Sequence, residues 1–444
     1  MKRLLLSILL LGLIAVAAVT PYLFGMEAER IFGQQMSLID SSNKISVVDS
    51  RFQRGWFSSA AETTLTLRGR DISVIAEHSI EHGPFPISNP LGYLASLRPL
   101  QALINTALTL PGIRASGKDQ PLGTLITTIN IDGTTETLVD IPAADAQLAE
   151  AATVAWESIH GTIEFEPADA SWQGVIEMGG FDWAQRESSV NLGESKLTFR
   201  TFPGRTGLAM GQSTLTTDTL TARMPDSDHR FESSNVTIDS TATEQGRTVE
   251  YKLAGSFSSA LLPDLELSDA IWHFSAQNLD LDTLTELNNL GVDSAVPLNK
   301  MLTLVSKRSA GMDSGLTMQT ESGPFAATAR LRLTGSGNTS NPLALIGALD
   351  GDIVLDFPAA IAEMAARVAV ERELPDRVNG SPEQPNPPQD NARFMADAVS
   401  ARIQSWLDGN LLTRVGDGYR FNASVRGGSF SINGKPFNLL SLLR

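Results

Sequence analysis

The chain has 444 residues, no cysteine, 42% apolar and 19% charged side chains, and a formal net charge of −16 at pH 7. This composition is globular, so wholesale disorder is excluded, and the length admits two or three ordinary domains. Without cysteine there is no disulfide, thiolate nucleophile, Fe–S ligand or Cys-type zinc site, and the acidity argues against nucleic acid as a partner because phosphates demand a basic footprint.

After Lys2 and Arg3, the stretch from Leu4 to Gly25 carries no charged side chain. As a helix it is about 33 Å long, enough to cross a hydrocarbon core of about 30 Å. Two readings fit it. A basic start, an apolar middle and the small-residue site Ala15-Val16-Ala17 describe a cleavable secretory signal. The run continues past that site through Val19, Pro21, Tyr22, Leu23 and Phe24, which favours an uncleaved transmembrane anchor over residues 1–25. Lys2 and Arg3 would then stay in the cytoplasm, with Tyr22 and Phe24 near the outer interface. Residues 27–44 read as a helical continuation or stalk that lifts the body off the bilayer.

Short Thr-rich, β-branched runs follow, Ile45-Ser46-Val47-Val48 and Thr64-Leu65-Thr66-Leu67, with period near two, the strand signal. Between them lies Arg51-Phe52-Gln53-Arg54-Gly55-Trp56-Phe57-Ser58-Ser59. This stretch and Gly25-Met26-Glu27-Ala28-Glu29 resemble the YdgA-like bacterial envelope proteins, a family classed as a domain of unknown function. The pieces His82-Gly83-Pro84-Phe85, Thr127 to Gly133 and Ile432-Asn433-Gly434-Lys435-Pro436 are similar to it as well. The resemblance reaches both ends of the chain. It implies an inner-membrane-anchored protein with its body in the periplasm, and it supplies no catalytic residues.

Leu100, Leu103, Ile104, Ala107 and Leu108 fall at helical spacing, which predicts a helix from Pro99 to Pro111-Gly112. In Leu125 to Asp132, Leu125, Thr127, Ile129 and Ile131 share one strand face, and Thr128, Asn130 and Asp132 the other. From Gly161 to Leu333 short strands alternate with Gly, Asn, Asp and Ser, which predicts antiparallel meanders. Lys196 to Phe199, Leu215 to Leu220 and Ile271 to Phe274 are examples. Thr283-Leu284-Thr285-Glu286 reads as a capping box opening a helical segment that runs to Lys307, split at Gly291 and Pro297. Helix, strand and helix follow at 342–349, 352–357 and 358–374.

Residues 375–392 hold five prolines and read as an exposed linker. Beyond them residues 393–444 form a helix and a closing hairpin with a Gly427-Gly428 turn. The domain reading is therefore an anchor over 1–25, a β-rich body over 26–374 with a subdivision near 155, the linker over 375–392, and the C-terminal piece over 393–444.

Chemistry-bearing residues are sparse. His78, His82, His160, His229 and His273 show no metal-ligand spacing on a helix, which favours structural or solvent roles. Asn278, Asp280 and Asp282 mimic a calcium loop, but Thr283 stands where Gly is needed and Asn289 where the bidentate Glu belongs, so helix capping explains them better. Ser58-Ser59 lacks a nucleophile elbow, and Gly335-Ser336-Gly337 and Gly427-Gly428 lack the Lys-Ser/Thr of a phosphate loop. Trp56 and Phe57 read as a packed corner. No catalytic, cofactor-binding or metal residue is assigned.

The expectation is a mainly β (α+β) protein of extended antiparallel sheet with peripheral helices, behind one N-terminal transmembrane helix. Its partners would be the inner membrane through residues 4–25 and an envelope protein or lipid. Three functions stay open. They are a non-enzymatic binding or scaffolding protein, a lipid-contacting protein with an apolar β trough, and an envelope hydrolase using a carboxylate pair.

Overall fold

The computed structural model describes residues 2–40, 45–68, 73–84, 99–111, 122–147, 152–206, 208–223, 230–262, 265–288, 304, 306–307, 309–334, 347–373 and 388–437, with only the backbone of residues 2–18. Phe85, Gly112, His229, Asn289, Gly291, Pro297, the Gly335-Ser336-Gly337 stretch, residues 342–346 of the expected helix and residues 375–387 of the expected linker lie outside them. The described chain divides into two compact units, one of residues 1–230 with 285–296, the other of residues 231–284 with 297–444. Every strand pairing given below is antiparallel.

The first unit opens with helix α1 (Lys2–Asp40), followed by strands β1 (Ile45–Arg54), β2 (Ser58–Leu67), β3 (Ser73–His82), β4 (Leu100–Thr109) and β5 (Gly123–Asn130). These five pair in chain order. The next lanes are each two strands in line: β6 (Thr135–Ile141) with β7 (Ala144–Gln147), β9 (Ile159–Glu166) with β8 (Ala152–Trp156), β10 (Ser171–Met178) with β11 (Phe181–Gln185), and β13 (Ser195–Pro203) with β12 (Ser188–Leu192). Strand β14 (Ala209–Arg223) runs unbroken along both β12 and β13.

The interruptions fall at one level across the sheet. Glu157 N donates to Gly180 O at 2.9 Å, Gly179 N to Ser158 O at 3.1 Å, and Gly193 N to Thr219 O at 2.9 Å. A Cβ on Gly193 would stand 1.9 Å from Asp218 Oδ1, so any side chain there would displace the Asp218 carboxylate.

One sequence expectation is corrected in this unit and another is narrowed. Residues 100–109 are strand β4 and not a helix. Lying between β3 and β5, the strand carries apolar residues on both faces, with Ala102 and Leu103 both buried. With apolar residues on both faces the strand lacks a clean alternation, and those residues match helical spacing as well as any other. Of the two readings of residues 27–40, the helical continuation holds and the free stalk does not. These residues continue α1 across strands β1 to β4, where Ala28 joins Ala61, Ile80, Ala102 and Ile129 in one core, flanked by Phe32, Phe52 and Ile104.

The second unit is a meander of β15 (Arg230–Gln245), β16 (Thr248–Leu262), β17 (Leu265–Asp280), β18 (Gly311–Thr320), β19 (Gly323–Leu333) and β20 (Leu349–Pro358). After β20 come helices α3 (Ala359–Glu373) and α4 (Pro388–Asp408). Strands β21 (Thr413–Val415), β22 (Gly418–Arg426), β23 (Ser429–Ile432) and β24 (Lys435–Pro436) close the chain, with β22 paired to β20. The two helices pack through Ala362, Ala366, Val399 and Ile403 against Phe357 and Tyr419.

Helix α2 (Leu281–Asn288) follows β17 and starts before the expected capping box. Its cap is Asp280, fully buried, whose Oδ2 accepts from Thr283 N at 3.0 Å, Thr283 Oγ1 at 2.8 Å and Lys307 Nζ at 2.7 Å. Thr283 is thus a first-turn residue, and the Asp three places before it does the capping.

Candidate functional site

Cross-strand partners share a face, so the registers sort the first unit's side chains. On one face a row runs Ala61, His78, Thr106, Leu125, Val139, Gly161, Ile176, Leu197 and Leu215. The helix packs over its first three members. On the other face the neighbouring row runs Glu62, Glu77, Ala107, Thr124, Asp140, His160, Glu177 and Lys196. There His160 Nδ1 meets Asp140 Oδ1 at 3.1 Å, and Lys196 Nζ meets Glu177 Oε1 at 2.7 Å. The hydrogen bond from Lys196 holds the Glu177 carboxyl below its ordinary pKa.

Three of the short motifs meet where α1 crosses the sheet. Gly25 lies against His82 so closely that a Cβ there would stand 2.3 Å from the imidazole Cε1. His82 is buried; its Nδ1 contacts Trp56 O at 3.2 Å and its Nε2 contacts Ser59 Oγ at 2.8 Å. A carbonyl only accepts, so Nδ1 carries the proton and the Ser59 hydroxyl donates to Nε2. Arg54 Nη1 pairs with Glu29 at 2.7 Å and its guanidinium sits 5.3 Å from the centre of the Tyr22 ring, which itself lies 4.9 Å from the Trp56 ring. Four residues back on the same strand, β3, His78 touches Thr106 Oγ1 at 2.8 Å and packs against the Phe32 ring, and its burial lowers its pKa.

A Ser–His pair invites a catalytic reading, and sequence reasoning missed this one because Ser59 and His82 meet only through the β2–β3 register. The geometry is structural. Both residues are buried beneath α1, and a neutral backbone carbonyl occupies the place of the orienting carboxylate. The outer face of β1 to β5 does hold an open concavity of about 740 Å³, lined by Arg51, Glu62, Glu77, Ser79, Asn105 and Thr124. Glu62 and Glu77 stand directly opposite each other there, and both are exposed.

The remaining sequence candidates are dispersed. His273 pairs with Asp313 at 3.1 Å on the second unit's sheet, and Asp280 is engaged as a cap and by Lys307. Among the described residues no group of three His, Asp or Glu is arranged to hold a metal ion. Trp56 and Phe57 correct the packed-corner expectation, because they are 50% and 57% exposed, although Trp56 does lean on Tyr22. The last motif closes the second unit, with Asn433 and Gly434 at positive φ in the β23–β24 turn. The Asn433 amide donates to Asn410 O at 2.9 Å and Leu411 O at 3.1 Å, tying the end of α4 to the hairpin.

Among the described residues no helix is long and apolar enough to cross a membrane. A family model described as a bacterial protein of unknown function (DUF945) matches residues 1–439. No curated protein and no solved structure matches the chain.

Proposed function

We propose, from the premise that this chain belongs to the DUF945 family of bacterial proteins of unknown function, that it is a single-pass envelope protein whose β body binds or scaffolds and performs no catalysis. One observation carries the reading. Helix α1 is continuous from Lys2 to Asp40, and its second half is built into the core of the first unit. The uncharged run from Leu4 to Gly25 therefore leads straight into the body, with no hinge loop between them. Its length suits a bilayer core of about 30 Å. Lys2 and Arg3 ahead of it support an N-terminus inside and a body outside, in the periplasm of the inner membrane. The YdgA-like resemblance points the same way. The buried Ser59–His82 pair and the exposed Glu62–Glu77 pair give a hydrolase no suitable machinery.

Fractionation and intact mass test the anchor. The full-length mass in a membrane fraction that resists alkaline carbonate and yields to detergent is the expected result. A mature start near residue 18, or release by carbonate, overturns it.

A second reading, contact with lipid along the sheet, is favoured by the row that leaves α1. Ile176, Leu197 and Phe199 are only half-buried, and Trp172 and Leu215 are 37% and 38% exposed on the same face. Apolar side chains held at the surface in a row suit acyl chains, each buried methylene contributing about 0.8 kcal/mol.

A further inference from the structure

We propose that the β1–β2 turn, carrying Trp56 and Phe57, is a second membrane contact seated in the interfacial layer of a phospholipid bilayer. The inference rests on the reading that α1 enters the membrane through its apolar run. The turn is stiff. Gly55 N donates to Ser58 O at 2.9 Å, His82 N to Phe57 O at 2.9 Å, and a side chain at Gly55 would collide with Ser58 O at 2.4 Å. His82, fixed by Ser59, donates to Trp56 O from behind. Backbone and support are thus committed to the protein, while Phe57 is exposed and the Trp56 ring, packed against Tyr22 on one side, leaves half its surface open.

The position along α1 selects the occupant. Trp56 stacks on Tyr22, and Tyr22 lies within one helical turn, about 5.4 Å, of the end of the uncharged run at Gly25. On the same stretch Val19, Leu23 and Met26, spaced i, i+4 and i+7, are 48%, 55% and 46% exposed. A helix stripe and a rigid aromatic turn are therefore both apolar at the level where the run ends. Tyr and Trp favour the headgroup layer because an apolar ring and a polar N–H or O–H suit a boundary, and a guanidinium such as that of Arg54 can reach phosphates there. A protein partner would equally bury Phe57, but nothing about it would require the patch to coincide with the end of the run. With α1 as one point and the turn as a second, the body cannot rotate freely about the helix axis.

The chain has no cysteine, so single-cysteine variants of the full-length protein report cleanly. Phe57→Cys, Leu11→Cys and Glu187→Cys, each carrying an environment-sensitive fluorophore, are reconstituted in vesicles of phosphatidylethanolamine and phosphatidylglycerol. These contain nitroxide lipids labelled either at the headgroup or deep in the acyl chain. The expected result is quenching at position 57 by the headgroup nitroxide at least about twofold above that at position 187, as for an interfacial residue. Position 11 should respond to the deep nitroxide. Quenching at 11 with none at 57 overturns the second contact and leaves the anchor standing. Quenching at 57 without 11 keeps the contact and removes the anchor. No quenching at either overturns both, and a blue-shifted, unquenched probe at 57 assigns the patch to contact between copies of the chain.

Discussion

Two glycines of α1 make opposite demands on the helix. A Cβ at Gly25 meets the His82 ring at 2.3 Å, whereas a Cβ at Gly33 meets nothing within 4 Å. Alanine favours a helix interior over glycine by about 0.5–1 kcal/mol, and overpacking costs about 1–3 kcal/mol. Gly25→Ala is therefore expected to destabilise the first unit and Gly33→Ala to stabilise it, read as opposite shifts in thermal midpoint of the detergent-solubilised protein. Like-signed shifts would mean that α1 does not lie on His82.

The second residue-scale prediction concerns His78. Its pKa is lowered from 6.5 because burial opposes the charged ring. The unfolded chain thus takes up the proton first, so stability is full above the unfolded pKa and falls as pH drops through it toward the lower folded value. Cooling of the melting point between about pH 7.5 and about pH 5.5 should shrink in His78→Gln, which cannot titrate there. An unchanged pH slope in that variant would place the titration elsewhere.

At the scale of elements, α2 depends on a cap whose two functions can be separated. Asp280 both caps Thr283 and meets Lys307 at 2.7 Å. Asparagine caps as well as aspartate but cannot pair with a cation, and alanine does neither. Asp280→Ala should cost on the order of 2 kcal/mol in chemical denaturation, toward the upper end for a lost cap at a buried site. Asp280→Asn should cost less, its deficit reporting the ion pair alone. Equal losses would show that the charge, and not the cap, holds the β17–α2 corner.

The whole first unit has two unlike sheet faces, and the distinction is testable between neighbours in sequence. Leu215 ends the apolar row and Thr216 lies beside Lys196 on the polar face. If the apolar row meets acyl chains, a photo-crosslinking residue at 215 in the membrane-embedded protein should capture lipid, and one at 216 should not. Capture at both would indicate unspecific proximity to the bilayer, and capture at neither would end the lipid reading.

The alternating, turn-punctuated text after Gly161 is sufficient for the antiparallel meander, because period-two patterning and frequent Gly, Asn and Asp leave few other ways to hide apolar side chains. The helices at 359–373 and 393–408 and the closing turns were equally legible, being marked by long periodic runs and local turn chemistry, whereas residues 388–392, which begin the second helix, had read as linker. Tertiary structure alone decided the rest. Residues 100–109 became a strand because β3 and β5 cover both its edges, and no window of ten residues contains those neighbours. Ser59 met His82, and Gly25 met His82 as well, because register and helix docking bring together residues from three separate segments. Sequence patterning records which side chains avoid water. Which of them lie opposite one another depends on pairing over long chain separations, and that is decided only when the strands pair and α1 docks on β1 to β4.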